Sequence, residues 1–391
     1  MLLERLRKDL DELKGSSRLR VLRPSGGVDF TSNDYLGFTD HPAVRRAVAQ
    51  ALEAGVPVGS GGSRLLGGNH PRFEELESFA AKFFQAESVL FFNSGFDANL
   101  ALFSTLPTRH DAVVYDERVH ASVKEGLRAS FSKKYSARHN DVTDVEQAVG
   151  RARKNGARQV FVAVESLYSM DGDMAPLGQL AELARRLEVV LVVDEAHATA
   201  IYGATGRGLT EELTTRAGGH PPWMITLHTC GKALGACGAL VAAPPEVKAV
   251  LINQARSFVY TTALSPLMAV AVQRGLELVD EEPWRRETLL ALAQSGRQTL
   301  RDALTRWIVP PGSSQIIPVR IGDDPQTVSA ARGLQQHGLD VRAVRPPTVP
   351  EGTSRLRISV NTRHGAEDMK RLAQALAELE GILGRGEAVA E

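Results

Sequence analysis

The sequence contains little cysteine, no excess of either charge and no long apolar run. Its 391 residues include two cysteines, Cys230 and Cys237, which excludes the disulfide framework of small secreted domains. Lysine plus arginine and aspartate plus glutamate both number 46, and this zero net charge argues against non-specific nucleic-acid binding. No stretch approaches the roughly 18 apolar residues of a membrane span, and the N-terminus lacks the apolar core of a secretory signal. We therefore expect a cytoplasmic protein with no membrane or nucleic-acid partner.

Several motifs of common enzyme classes are also missing. Gly231-Lys232 is followed by Ala233, so the chain lacks the Gly-Lys-Ser/Thr end of a phosphate-binding loop of ATPases. No Gly-x-Ser-x-Gly elbow of a serine hydrolase follows a predicted strand. Cys230 and Cys237 have no second cysteine pair, so we expect no zinc site and no other metal.

What the sequence does contain is a series of short apolar runs separated by helical patterns. This alternation predicts a largely parallel sheet covered by helices on both faces. In such sheets ligands bind beyond the carboxyl ends of the strands, where polar residues follow several of these runs. The predicted strands are 88–95, 111–117, 159–165, 189–195 and 224–229, and the polar ends are Asn93-Ser94-Gly95, Asp116, Glu165, Asp194 and Thr229.

The two ends of the chain differ from this central region. Leucines at helical spacing predict an amphipathic helix over residues 1–14. Beyond about residue 245, long helical stretches and a few strand-like segments indicate a smaller α+β domain. We predict an N-terminal helix and arm over 1–45, a large domain over 46–265 and a small C-terminal domain over 266–391.

Three side chains at the predicted strand ends have the chemistry of a cofactor site. Lys232 lies among small residues, where partial desolvation makes an amine nucleophilic, although an isolated lysine is more often a surface residue. Asp194 ends a buried strand and needs a partner such as a protonated pyridine nitrogen, or else it caps a helix. His197, in the tetrapeptide DEAH, reaches the same site or is a structural histidine.

Two further segments admit both a functional and a structural interpretation. The turn from Asn93 to Asn99 joins a strand to a helix, and its N–H groups either bind phosphate or form an ordinary turn. His120 either stacks on a planar ring or caps the helix predicted to begin near Ser122.

Taken in order, these features resemble the fold-type I enzymes that use pyridoxal phosphate (PLP), and among them the α-oxoamine synthases. Members of this family condense an amino acid with an acyl thioester and release CO2. The resemblance implies a largely parallel seven-stranded sheet with a small α+β C-terminal domain, and a homodimer with shared active sites. The segments that carry it are TSNDYLG (31–37), GSGGSRLLGGNHPRFEELE (59–77), NSGFDAN (93–99), HAS (120–122), SLYSMDGDMAPL (166–177), DEAHAT (194–199), TCGKALG (229–235), YTTALSP (260–266) and VRPPTVPEGTSRLRISV (344–360).

The resemblance implies a role for each matching position. Lys232 holds the cofactor as a Schiff base and moves the Cα proton, Asp194 holds the ring nitrogen, His197 bonds the ring 3-oxygen and His120 stacks on the ring. The remaining implied cofactor contacts are Gly95, Phe96, Ser169, Thr229 and, toward the neighbouring subunit's cofactor, Thr262. The implied substrate-binding residues are Asn33 and Arg357 for the amino-acid carboxylate, Arg345 and Thr348 near the substrate, and Arg20 for the acyl group.

The last segment most resembles the branch of the family that serves biotin biosynthesis. It implies the condensation of L-alanine with pimeloyl-CoA or pimeloyl-acyl carrier protein to 8-amino-7-oxononanoate. A 2-amino-3-ketobutyrate CoA ligase (glycine C-acetyltransferase), another α-oxoamine synthase and a non-catalytic PLP-binding regulator remain alternatives. Members of the family often read His-Gly-Thr-Gly where this chain has Ala198 and Ala200, which raises the question whether a positive φ is needed there. Cys230 likewise replaces a bulky residue before Gly-Lys.

Overall fold

A computed structural model describes residues 1–22 and 24–385 of the chain. Its contacts divide the chain into two units. The first, here the sheet unit, consists of Leu36–Ser169 and Asp173–Arg286, and the second, here the terminal unit, of Met1–Tyr35, Met170–Gly172 and Glu287–Glu391. This division does not test the domain boundaries at residues 46 and 266, which remain predictions.

Strands and helices alternate through most of the described chain. The strands, β1 to β12 in chain order, are Val28–Asp29, Ser88–Phe92, Ala112–Asp116, Lys133–Ala137, Val160–Glu165, Val190–Asp194, Met224–Thr229, Ala239–Ala243, Ile316–Gly322, Leu339–Asp340, Arg342–Val344 and Ser354–Ser359. The helices, α1 to α14, are Leu2–Gly15, Pro42–Glu53, Pro71–Phe83, Gly95–Thr105, Ala121–Ala129, Val142–Lys154, Leu177–Arg186, Glu211–Ala217, Pro245–Gln254, Arg256–Val259, Pro266–Glu281, Trp284–Ala303, Asp324–Gln336 and Ala366–Gly384. None of these helices is long and apolar enough to cross a membrane.

The sheet unit is built on a seven-stranded sheet in the order β2-β8-β7-β6-β5-β3-β4. Strands β3 to β7 pair in parallel, while β8 runs antiparallel to both of its neighbours. The predicted largely parallel sheet is therefore confirmed. Sequence analysis missed β4, an edge strand whose side chains are mostly exposed, and β8, which lies in the small-residue stretch after Lys232.

Both faces of this sheet are covered, and alternate residues of one strand enter opposite cores. Phe161 and Ala163 of β5 pack in a cluster with Phe103 of α4 and Leu127 of α5. Their neighbour Val162 packs in a second cluster on the other side, which includes Val145, Val149, Leu180 and Leu183 of α6 and α7. Burial on both faces explains why β5 is a continuous apolar run that ends only at Glu165.

The terminal unit contains a three-stranded antiparallel sheet in the order β11-β12-β9 and a short parallel pair of β1 and β10. Helices α13 and α14 pack against each other and α13 covers the sheet. The buried Arg297 of α12 donates to the carbonyls of Ser314 and Ile316 and so fixes the approach to β9. The predicted amphipathic helix α1 is present, but none of its residues is buried.

Candidate active site

Polar side chains collect at one edge of the sheet unit. Asp116, Glu165, Asp194 and Thr229 each end one of the parallel strands β3, β5, β6 and β7. Strand β2 runs in the same direction as β7, because β8 lies antiparallel between them, so the turn after β2 reaches this edge as well. Strand topology thus brings together the residues that the sequence singled out for their position after apolar runs.

Lys232 follows β7 in a loop of small residues and faces His197. The Lys232 Nζ and His197 Nε2 atoms are 2.7 Å apart. The neighbouring Cys230 is fully buried, and burial raises the pKa of its thiol well above the ordinary range. Cys230 is therefore a packing residue at neutral pH, and the nucleophilic role of Lys232 remains a prediction.

Asp194 is buried, and two donors hold its carboxylate. The Ala196 backbone N–H donates to Oδ1 at 2.9 Å, and the Asn99 side chain donates to Oδ2 at 2.8 Å. The Asn99 amide nitrogen also donates to Ser122 Oγ at 2.9 Å. Sequence analysis did not connect Asn99 with Asp194, because the two residues lie 95 positions apart along the chain.

His120 caps helix α5, as one of its two interpretations predicts. Its Nδ1 accepts from the Ser122 N–H at 3.2 Å and lies 2.8 Å from Ser122 Oγ. Burial lowers the pKa of His120 although Asp194 opposes the shift. A neutral imidazole fixed by its Nδ1 retains a free ring face, so capping is compatible with stacking on a planar ligand.

Glu165 is a second buried carboxyl beside Asp194, with which it is paired in register. Its Oε2 accepts from the Ser169 N–H at 3.3 Å, while Oε1 is buried with no hydrogen-bond partner among the described residues. Burial, together with the Asp194 carboxylate, raises the pKa of Glu165 to about 8. At neutral pH Glu165 is therefore mostly a neutral carboxyl group beside Asp194.

The start of helix α4 forms the other end of the site. Gly95 is its first residue, and a Cβ atom there would lie 3.4 Å from Thr229 Oγ1. The backbone therefore approaches the threonine hydroxyl closely, with the first N–H groups of an 11-residue helix beside it. The half-exposed Phe96 follows, and the Thr262 carbonyl accepts from Asn93 Nδ2 at 2.7 Å.

These groups fit a phosphorylated pyridine aldehyde. A helix N-terminus and a hydroxyl suit a phosphate, a buried carboxylate suits a protonated ring nitrogen and a primary amine suits an aldehyde carbon. Metal chemistry has no comparable donor set, because no group of three possible ligands occurs among residues 1–22 and 24–385.

The predicted substrate residues all lie in the terminal unit, where they form two groups. Arg357 of β12 donates to Asn33 Oδ1 at 3.1 Å, to the Tyr35 hydroxyl at 3.3 Å and to Ser359 Oγ at 2.8 Å. Each of these acceptors is neutral, so a carboxylate is a stronger partner for this guanidinium. The contact of Tyr35 with Arg357 was not predicted.

The second group consists of Arg20, Arg345 and Thr348. Arg20 donates to Thr348 Oγ1 at 3.2 Å, and these three residues line one cleft of about 140 Å³. Burial lowers the pKa of Arg345, and the neighbouring Arg20 acts in the same direction. The geometry therefore groups the residues that the resemblance implies, while their roles toward substrate and cofactor remain predictions.

Comparison with known proteins decides the family. Residues 25–376 match the family described as aminotransferase class I and II. The chain belongs to this family. Pyridoxal phosphate is its cofactor, in agreement with the donor set at the strand edge.

Relatives and solved structures resemble this member of the aminotransferase class I and II family over nearly its whole length. The 8-amino-7-oxononanoate synthase of Aromatoleum aromaticum is 39% identical, and the match covers 97% of this chain and 99% of the relative. That of Saccharophagus degradans is 37% identical with 96% of each chain covered. Serine palmitoyltransferase of Sphingomonas wittichii is 28% identical, with a TM-score of 0.83 and with 90% of this chain and 87% of that one covered. A structure of SPT with a PLP internal aldimine is 26% identical, with a TM-score of 0.87 and 97% of each chain covered.

Proposed function

We propose that the protein is an 8-amino-7-oxononanoate synthase. It condenses L-alanine with a pimeloyl thioester of coenzyme A or acyl carrier protein, releases the thiol and CO2, and forms 8-amino-7-oxononanoate for biotin biosynthesis. The observation that carries this proposal is the identity of 37–39% to curated enzymes of that name across nearly the full length of both chains. The α-oxoamine synthase resemblance of the segment 344–360 supports the same choice.

Lys232, with His197 beside it, carries out the proton transfers of the proposed reaction. Bound PLP supplies an electron-withdrawing ring that stabilises negative charge on the alanine Cα. The Lys232 amine takes the Cα proton, and His197, whose Nε2 lies 2.7 Å from Nζ, orients that amine and would bond the 3-oxygen of the ring. The alanine Cα then attacks the thioester carbonyl, the C–S bond breaks, and the alanine carboxylate leaves as CO2 before Lys232 returns a proton to Cα.

Two other groups position the reactants. The Asp194 carboxylate, held by Asn99 and the Ala196 N–H, keeps the ring nitrogen protonated. Arg357 binds the alanine carboxylate with a fork of two N–H groups, and Asn33 assists it. His120 would stack on the ring of the bound cofactor, and Gly95, Phe96, Ser169 and Thr229 would complete the cofactor contacts.

We further propose a cytoplasmic homodimer in which Thr262 reaches the partner's cofactor phosphate. Val58, Leu66 and Tyr260 of the sheet unit are 70–84% exposed, and we propose that they lie at this interface. Both cysteines are free, which suits a reducing compartment.

A substrate matrix tests the proposed function. Thiol release is measured for the PLP-loaded enzyme with L-alanine, glycine and L-serine, each with pimeloyl-CoA, acetyl-CoA and palmitoyl-CoA. The proposal predicts that alanine with pimeloyl-CoA has the highest kcat/KM by at least about tenfold, since a wrong pocket fit costs 1–3 kcal/mol. Preference for glycine with acetyl-CoA would instead make the protein a 2-amino-3-ketobutyrate CoA ligase. PLP binding with no turnover of any pair would make it a regulator.

A further inference from the structure

A cleft of the terminal unit has a strongly positive lining, and only Arg20 and Arg345 of that lining have an implied role toward substrate. It has a volume of about 360 Å³ and lies between the end of α1, helix α13 and strand β11. Its cationic residues are Lys14, Arg20, Arg332, Arg342 and Arg345, and no acidic residue lines it. Apart from Arg342, which is paired with Asp340, these positive side chains have no carboxylate in the same wall, so they repel one another and an anion in the cleft relieves that repulsion.

Most of these cations lack an ion-pair partner among residues 1–22 and 24–385. Arg342 is the exception, since its guanidinium lies 2.8 Å from the Asp340 carboxylate. Arg20 bonds the neutral Thr348 hydroxyl, and Arg345 is half-buried beside it. The adjacent Arg18, by contrast, is already paired with Asp324 and Glu351, so it is not available to a ligand.

The cleft continues into the smaller one that holds the predicted substrate residues. The two share Arg20, Ala343 and Arg345 as wall residues, and the smaller cleft adds Thr348 and Pro346. A long substrate can therefore extend from the smaller cleft past Arg20 into the cationic one. Pimeloyl thioesters are long enough in this sense, because the acyl group at one end is separated by the pantetheine arm from the phosphate at the other.

We propose that the cationic cleft binds the phosphate of the 4′-phosphopantetheine arm that coenzyme A and acyl carrier protein share. This assignment rests on the proposed function and adds Lys14 and Arg332 as residues that recognise the thioester. Guanidinium and ammonium groups suit this task, because phosphate oxygens accept charge-assisted hydrogen bonds from both.

The test compares Arg332→Gln and Lys14→Gln with Arg301→Gln, an exposed arginine of α12 outside the cleft. In the PLP-loaded enzyme, KM is measured for pimeloyl-CoA and for pimeloyl-pantetheine, which lacks phosphate. We expect the KM ratio of the phosphorylated to the unphosphorylated thioester to rise about tenfold in each cleft variant, the usual effect of one charge-assisted contact, and to stay constant in Arg301→Gln. An unchanged ratio in both cleft variants overturns the proposal.

Carrier protein distinguishes the sources of the phosphate. Turnover of pimeloyl-CoA and of pimeloyl-acyl carrier protein is compared in Arg332→Gln. Weaker turnover of both supports the phosphate of the arm, whereas weaker turnover of pimeloyl-CoA alone indicates binding through the nucleotide phosphates and overturns the proposal. Apo-carrier protein, which lacks the arm, is titrated as a competitor. If Arg332→Gln weakens the inhibition by apo-carrier protein as much as the inhibition by holo-carrier protein, the cleft recognises the carrier's acidic surface and the proposal is wrong.

Binding measurements separate this proposal from the proposed function. Calorimetric titration of coenzyme A into the PLP-loaded protein needs no turnover. If alanine and pimeloyl-CoA do not react, the proposed function fails, yet a Kd about tenfold weaker in Arg332→Gln still supports the phosphate site. Equal Kd values for wild type and Arg332→Gln overturn the site whatever the reaction.

Discussion

At the scale of single residues, the site depends on how two buried carboxyls share one strand edge. Each oxygen of the Asp194 carboxylate accepts a hydrogen bond, whereas Oε1 of Glu165 is buried with no hydrogen-bond partner in the part of the chain that the structure describes. Burial and the charge of Asp194 therefore raise the pKa of Glu165 to about 8. The sequence marked both as polar strand ends, but their unequal protonation depends on donors such as Asn99 that only the folded chain brings close.

Replacing Glu165 by glutamine tests this protonation state. Because glutamine imitates the neutral carboxyl, we expect Glu165→Gln to keep kcat/KM for alanine within about threefold at pH 7. Above pH 8 the wild type gains a second negative charge beside Asp194 and loses activity, and the variant does not. The measurement is kcat/KM from pH 6 to 9.

The interpretation has a clear counter-result and a control. Parallel pH profiles for wild type and Glu165→Gln would show that Glu165 does not titrate in this range. Glu188→Gln, an exposed glutamate of the same unit, controls for the loss of a charge.

Ala200 shows a different residue-scale effect, because its φ of 68° lies in the left-handed region that favours glycine. The buried Ala198 two residues earlier has no such φ. We therefore expect Ala198→Gly to lower the free energy of unfolding by about 1 kcal/mol more than Ala200→Gly, where relief of strain offsets the added chain entropy. Urea unfolding of the two variants measures the difference, and equal losses contradict this account.

At the scale of elements, a half-buried histidine joins three segments of the sheet unit. His139 follows β4, and its ring nitrogens lie 3.0 Å from Asp116 at the end of β3 and 2.6 Å from Asp173 before α7. Burial lowers the pKa of His139, but the hydrogen bonds to both carboxylates outweigh it and raise the pKa to about 9. Neither β4 nor this histidine was predicted, since an edge strand has no apolar run and the pairing depends on tertiary structure.

This pairing predicts a pH-dependent stability. The pKa of His139 is higher in the folded chain than in the unfolded one, so the folded chain binds the extra proton between about pH 6.5 and 9. The stabilisation is complete below about pH 6.5 and is lost as the pH rises through 9. His139→Gln should therefore lower the unfolding free energy by roughly 3 kcal/mol at pH 6 and much less at pH 9.5.

Urea unfolding at both pH values checks this prediction. The exposed His110→Gln is the matched control, and it should not change the stability at either pH. A loss in His139→Gln that is independent of pH would show that the ring only fills space.

At the scale of the whole molecule, the apolar runs predicted a largely parallel sheet, and the polar residues after them predicted which side chains meet at one of its edges. Two features were not accessible in this way. Strand β8 lies in a stretch of small residues, and the cationic cleft brings Lys14 of α1 and Arg332 of α13 to Arg342 of β11, more than three hundred residues apart at their extremes. Such arrangements depend on packing between distant segments, which periodicity in one segment does not contain.

The most direct test of the central claim is the fate of the alanine carboxyl carbon. The PLP-loaded enzyme is incubated with L-alanine labelled with carbon-13 at that position and with pimeloyl-CoA, and thiol, labelled CO2 and product are quantified together. The account predicts equal amounts of thiol, labelled CO2 and unlabelled 8-amino-7-oxononanoate, no reaction in Lys232→Ala, and full activity in Lys154→Ala. Thiol release without labelled CO2, or turnover by Lys232→Ala, would contradict it.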